Sequence, residues 1–189
     1  ITRSTDEGRT WSEAALIEHF QVLRYDFRGH GKSDAPPGAY SMDRLGRDVV
    51  ELLDALDIAR AHFLGLSLGG FVGQWLGIHA ADRIDRLILS NTSAQLGPIS
   101  EFDARINALK TSPDMTAVAE GFLAAWFPQS MLEVMHPEVQ PFRDMLLSTP
   151  PKGLAGLYAA VRDTDMRRTI ALIDRPTLVI AGTDDTVTL

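Results

Sequence analysis

The chain has 189 residues, 45% of them hydrophobic, so one domain with a sizeable apolar core is expected and the disordered class is excluded. A formal net charge of -7 and a pI of about 5.1 argue against nucleic-acid partners, which need a basic face. Cysteine is absent, which removes disulfides and thiolate metal sites, and no apolar run reaches the length of a membrane span.

The first residues, Ile1 to Asp6, include no initiator Met and carry no charged-then-apolar signal pattern. They are read as a trimmed start, and a cytoplasmic protein is expected. Gln21-Val22-Leu23-Arg24-Tyr25-Asp26 predicts the first strand, followed by the Gly-rich turn Arg28-Gly29-His30-Gly31. Ser41 is a good N-cap with Asp43 in the first turn, and Met42, Leu45, Val49, Leu52, Leu53 and Leu56 follow at helical spacing. Ala61 to Leu64 predicts a second strand, and about Gly69 to Ala80 a helix with small residues Gly69, Gly70, Gly73 and Gly77 on one side. Arg86 to Ser90 predicts a third strand.

Strand, helix, strand, helix, strand implies an α/β protein with a mostly parallel sheet covered on both faces. From about Ser93 to Ile173 only helical patterns follow: 102–110, 115–127, 142–147, 153–161 and 167–172, punctuated by prolines. That block, residues 93–173, reads as an inserted helical lid on a core formed by residues 1–92 and 174–189. Thr177 to Ala181 restores a strand, and Gly182-Thr183-Asp184-Asp185 is the loop at its C-terminal end.

The chemistry centres on Gly65-Leu66-Ser67-Leu68-Gly69. In a G-x-S-x-G turn the Ser sits at a strained strand-to-helix junction with its hydroxyl clear of the backbone; flanking side chains are expected to collide, hence the glycines. The following helix points its N-terminus at the site, placing the Leu68 N–H to bind a developing oxyanion. The competing reading is a plain Gly-rich tight turn. Asp185 is the second candidate, because parallel sheets build sites at the C-terminal ends of their strands. Its role would be to orient a catalytic imidazole, with Asp184 as a rival and a simple Asx-type turn as the bland alternative. The five histidines, His19, His30, His62, His79 and His136, all read as structural or surface residues, with His30 the nearest to a site position.

Arg24-Tyr25-Asp26-Phe27-Arg28-Gly29-His30-Gly31-Lys32-Ser33, joined to Gly65-Leu66-Ser67-Leu68-Gly69-Gly70, resembles the α/β-hydrolase superfamily. Tyr40-Ser41-Met42, Leu45 to Val49, Leu53 to Leu56, Gly73 to Gly77, Asn91-Thr92, Trp126-Phe127 and Ala159 to Asp163 are similar to 3-oxoadipate enol-lactonases. The resemblance implies Ser67 as nucleophile, Asp185 as triad acid and the Leu68 N–H as half of the oxyanion hole. It also implies a lid-formed pocket walled by Trp126, a small carboxylate-bearing lactone as substrate in aromatic-compound breakdown, and no cofactor. A substrate carboxylate in such a pocket calls for a cation, with Arg105 and Arg162 as candidates.

The chain departs from the family in two places. The glycine expected for a second oxyanion donor is missing near Arg3-Ser4-Thr5, and in this fold the base follows the acid, whereas only four residues follow Asp185. Truncation at both ends is therefore expected. The leading reading is a lactone or carboxylic-ester hydrolase. The alternatives are another hydrolase of this fold (carboxylesterase, C–C bond hydrolase, perhydrolase) or a non-catalytic hydrolase-fold binder. The oligomeric state is left open.

Overall fold

The computed structural model describes residues 17–183, 185, 187 and 188. Three parallel strands, β1 (Ala61–Leu66), β2 (Ile84–Ser90) and β3 (Thr177–Ile180), lie in the order β1-β2-β3. Leu64, Ile88 and Leu178 share one row of the register, and Leu66, Ser90 and Ile180 the row two residues further on. The C-terminal ends of all three strands therefore come out side by side.

Helix α1 (Met42–Ala55) precedes β1. The Ser41 hydroxyl accepts the Arg44 N–H at 3.1 Å, as a capping residue should, and Met42, Leu45, Val49 and Leu53 are buried along one face. Helix α2 (Leu68–His79) starts directly at the end of β1 and is buried from Gly69 to Gly77, the pattern of a central core helix. Its glycines let it lie close to the sheet: a Cβ on Gly73 would stand 2.8 Å from the Leu89 side chain, and one on Gly77 2.9 Å from that of Leu87. The main core gathers Phe71, Val72 and Leu76 of α2 with Leu45 and Val49 of α1 and Ile84, Leu87 and Leu89 of β2. On the other face of the sheet Leu64, Leu66, Leu178 and Ile180 are exposed among the described residues.

Between β2 and β3 run five helices: α3 (Ile99–Thr111), α4 (Thr116–Trp126), α5 (Gln129–Glu133), α6 (Gln140–Ser148) and α7 (Pro151–Arg162). The sequence patterns anticipated four of them; α5 is a single short turn after Pro128, below the length at which periodicity is readable. The stretch expected to be helical at 167–172 forms only the 3-10 turn Ile170–Leu172. Gln21 to Asp26 is not a strand among the described residues: it makes no ladder there, and a strand exists only through a partner. Helices α4 and α6, with Val139 just before α6, carry their own small core of Ala119, Leu123, Val139 and Leu146.

Helix α7 joins this block to the sheet domain through backbone contact. A Cβ on Gly153 would run into the Gly29 carbonyl oxygen and come within 2.6 Å of its Cα, and a Cβ on Gly156 would stand 2.7 Å from the Tyr40 ring. The Tyr40 N–H also donates to the Gly156 carbonyl at 3.2 Å. Gly153→Ala should thus destabilise the fold by about 1–3 kcal/mol, because the obstacle is main chain that cannot rotate away. Gly121→Ala in α4, which meets nothing within 4 Å among the described residues, should be neutral or stabilising by about 0.5–1 kcal/mol. Urea unfolding of the two variants beside wild type checks both.

Candidate active site

Ser67 occupies the join between β1 and α2 with φ 52 and ψ -115, a left-handed conformation rare for a residue with a side chain. The turn is held from several sides. The Ser67 N–H donates to the Ser90 carbonyl at 2.9 Å, and the Ser67 carbonyl accepts from the Gly70 N–H at 2.8 Å and the Thr92 hydroxyl at 2.8 Å. The Ser67 side chain makes no capping bond to α2, and the residue is exposed. Leu68 is the first residue of α2, so its N–H is among the helix donors without an intrahelical partner.

The glycines divide their work differently from the sequence expectation. A Cβ on Gly65 would strike the Gly69 carbonyl and come within 2.7 Å of the Gly70 nitrogen, as anticipated. At Gly69 a Cβ meets nothing within 4 Å among the described residues. The crowded position is instead Gly70, where a Cβ would collide with the Thr92 side chain.

Asp185 lies beyond the end of β3, two strands from Ser67 in the sheet order. Its Oδ1 accepts the N–H groups of Val187 at 2.8 Å and Thr188 at 3.0 Å. Its Oδ2 accepts the Asn91 amide at 2.9 Å and the Thr188 hydroxyl. These donors, the Thr188 hydroxyl foremost, hold the carboxyl far below the usual carboxylate range. Asp184, the rival, and Arg3-Ser4-Thr5 lie outside the described residues.

The arginines expected near a substrate are unequal. Arg162 donates to Asp163 at 2.7 and 2.9 Å and to Asp103 at 2.7 Å, a doubly neutralised position. Arg105 is more open, 3.5 Å from Glu101 with its guanidinium over the Phe102 and Tyr158 rings at 5.6 and 5.9 Å. Trp126 ends α4, 48% exposed, its ring 4.9 Å from that of Phe122. Among the histidines, His62 sits edge-on to Phe20, His79 lies against Trp75 and His136 accepts the Glu138 N–H. His19 is exposed. Burial pushes the His30 imidazole down, and its Nδ1 has no hydrogen-bond partner among the described residues. Two clefts among the described residues, of about 340 and 520 Å³, are lined from the Tyr25–Leu52 region and from the α1–α2 surface, and neither is lined by Ser67. Among the described residues no cluster of three or more His, Asp or Glu side chains could hold a metal ion.

Asn91 and Thr92 were legible only as part of a resemblance. A local signal was present: Asn tolerates the left-handed backbone it adopts here, φ 43, just past a strand.

The family model described as alpha/beta hydrolase fold matches residues 7–189. The chain belongs to the α/β-hydrolase fold family. It is 38% identical over 176 residues to 3-oxoadipate enol-lactonase 2 of Acinetobacter baylyi, an alignment covering 91% of this chain and 66% of that protein. It is also similar to the crystal structure of a hydrolase from Pseudomonas aeruginosa PA01, with 61% identity, a TM-score of 0.91, and coverage of 93% of this chain and 66% of that one. The enol-lactonase from Burkholderia xenovorans LB400 superposes with a TM-score of 0.86 at 42% identity, covering 90% of this chain and 65% of its own. The chain spans about two thirds of the length of these relatives. Among the described residues, no helix of this hydrolase-fold chain is long and apolar enough to cross a membrane.

Proposed function

We propose that this protein is a serine hydrolase of small lactones or carboxylic esters, with 3-oxoadipate enol-lactone as its substrate. The observation that carries the reading is Ser67 itself: an exposed hydroxyl on a left-handed residue at the mouth of a buried helix. Strain of this kind costs on the order of 1–3 kcal/mol and persists where the surroundings enforce it. In this reading Ser67 attacks the lactone carbonyl, and the Leu68 N–H and the α2 dipole stabilise the oxyanion. A histidine, unassigned in this chain, takes the Ser67 proton, and Asp185 orients that imidazole. Water then releases the acyl group, and no cofactor enters.

Residues 93–173 are proposed as a lid over the core of residues 1–92 and 174–189, with Trp126 as a pocket wall. Of the two arginines, Arg105 is the better partner for a substrate carboxylate, since the Arg162 donors are already committed to Asp103 and Asp163. The enol-lactonase likeness extends the proposal to aromatic-compound breakdown, and the cytoplasm is proposed separately as its place.

The test is a kinetic panel of the enol-lactone against uncharged lactones and aryl esters. The enol-lactone should show the highest kcat/KM. Arg105→Ala should raise its KM about tenfold or more while leaving uncharged esters unchanged, the loss expected for a charged hydrogen bond. Preference for uncharged aryl esters would redirect the reading to a carboxylesterase.

One observation favours a second reading, a ligand-binding protein without turnover: each Asp185 oxygen already accepts two hydrogen bonds, so an imidazole N–H must compete for its place. Rapid stoichiometric labelling of Ser67 by a fluorophosphonate would exclude that reading; negligible labelling would favour it.

A further inference from the structure

Two consecutive residues at the end of β2 touch both ends of the proposed catalytic pair. The Thr92 hydroxyl donates to the Ser67 carbonyl at 2.8 Å, and the Thr92 side chain fills the space that Gly70 leaves open beside the turn. The Asn91 amide donates to Asp185 Oδ2 at 2.9 Å. Asn91 is itself fixed: the Ser90 hydroxyl donates to its Oδ1 at 3.1 Å, and its backbone N–H donates to the Ile180 carbonyl of β3 at 2.8 Å. Past Thr92 the chain is anchored by Gln74, a buried residue of α2 whose Nε2 donates to the Ser93 carbonyl at 2.9 Å.

We propose that Asn91 and Thr92 are positioning residues that together set the separation and orientation of Ser67 and Asp185, Thr92 holding the turn and Asn91 the carboxylate. This rests on the serine-hydrolase reading above. The physical reason is that β2 lies between β1 and β3, so its C-terminal loop is flanked by the two loops that bear the reacting groups. Left alone, those loops would drift by the fraction of an ångström that near-attack geometry does not tolerate. Each of the two bonds is thus expected to act on kcat and not on substrate binding.

The experiment compares Asn91→Gly, Asn91→Asp, Thr92→Val and Thr92→Ser with wild type and with Ser67→Ala, in the full-length protein, using the enol-lactone and an aryl ester. Glycine accepts φ 43 without strain, so Asn91→Gly removes the amide alone. Its kcat should fall about ten- to a hundredfold with KM unchanged, the loss expected for a hydrogen bond to a charge. Thr92→Val should lose about three- to tenfold in kcat, and Thr92→Ser should restore it to within about twofold, because the hydroxyl is kept. Asn91→Asp places a second carboxylate beside Asp185, whose added negative charge favours the protonated form of the base that Asp185 orients, and should move the acid limb of the kcat profile up by about one pH unit or more. That measurement decides the case even if Asn91→Gly fails to fold. Wild-type kcat and acid limb in all the Asn91 and Thr92 variants, or a rise in KM at constant kcat, would overturn the positioning role. Wild-type activity that survives Ser67→Ala would instead overturn the underlying hydrolase reading.

Discussion

Ser67→Ala should lower kcat for ester or lactone hydrolysis on the order of a million-fold and abolish fluorophosphonate labelling, with the fold intact. The magnitude follows from the role: when the nucleophile of a triad is removed, only the oxyanion donors and substrate binding remain to act on water. The intact fold follows from the geometry. The Ser67 hydroxyl makes no capping bond to α2, and the bonds that hold the turn run through its backbone N–H and carbonyl, which alanine keeps. Alanine tolerates φ 52 about as poorly as serine, so stability should change by less than about 0.5 kcal/mol. Ser67→Gly should be equally inactive yet more stable, by about 1 kcal/mol, because glycine adopts this backbone freely. A protein stabilised by deletion of one exposed side chain, and inactivated by it, would mark this turn as strain kept for chemistry. Thermal unfolding beside steady-state kinetics checks both; substantial turnover in Ser67→Ala would remove Ser67 from the mechanism.

Asp185→Asn should reduce kcat about ten-thousandfold, because an amide cannot balance an imidazolium and favours the wrong tautomer of the base. It should also loosen the loop after β3. The four donors now converging on the carboxylate, from Asn91, Val187 and Thr188, would face an amide whose own N–H groups repel two of them. The pH dependence has a definite sign. The folded Asp185 carboxyl lies well below its unfolded value near 3.8, so its stabilising contribution is complete above that value and fades as the pH falls through and beneath it. Wild type should therefore lose stability below about pH 4 more steeply than Asp185→Asn. Equal acid sensitivity in the two proteins would show that the hydrogen bonds to this carboxylate do not persist in solution. For catalysis the same depression means that Asp185 stays ionised across the working range, so the acid limb of wild-type kcat should report another group.

What the sequence determined by itself was local. Ser41 with Asp43 announced α1, the apolar stripe from Met42 to Leu53 showed which face is buried, and Gly65-Leu66-Ser67-Leu68-Gly69 between an apolar run and a helical pattern marked the strand-to-helix turn. Caps, periodicity and turn residues act over a few positions, so their signals survive in one chain read linearly. Tertiary structure decided whatever depends on approach between distant segments. Gln21 to Asp26 has strand composition but no ladder among the described residues, because pairing belongs to two segments and not to one. The glycine that must stay small beside Thr92 is Gly70 and not Gly69, because the crowding atoms come from the end of β2, more than twenty residues along the chain. Arg162 and Arg105 look alike in sequence, yet Asp103 closes on one at 2.7 Å, while the other meets Glu101 at 3.5 Å and lies over the Phe102 and Tyr158 rings. Asn91, two residues short of the helical block, meets Asp185 across 94 positions of chain, a bond set by the parallel register that no local pattern encodes.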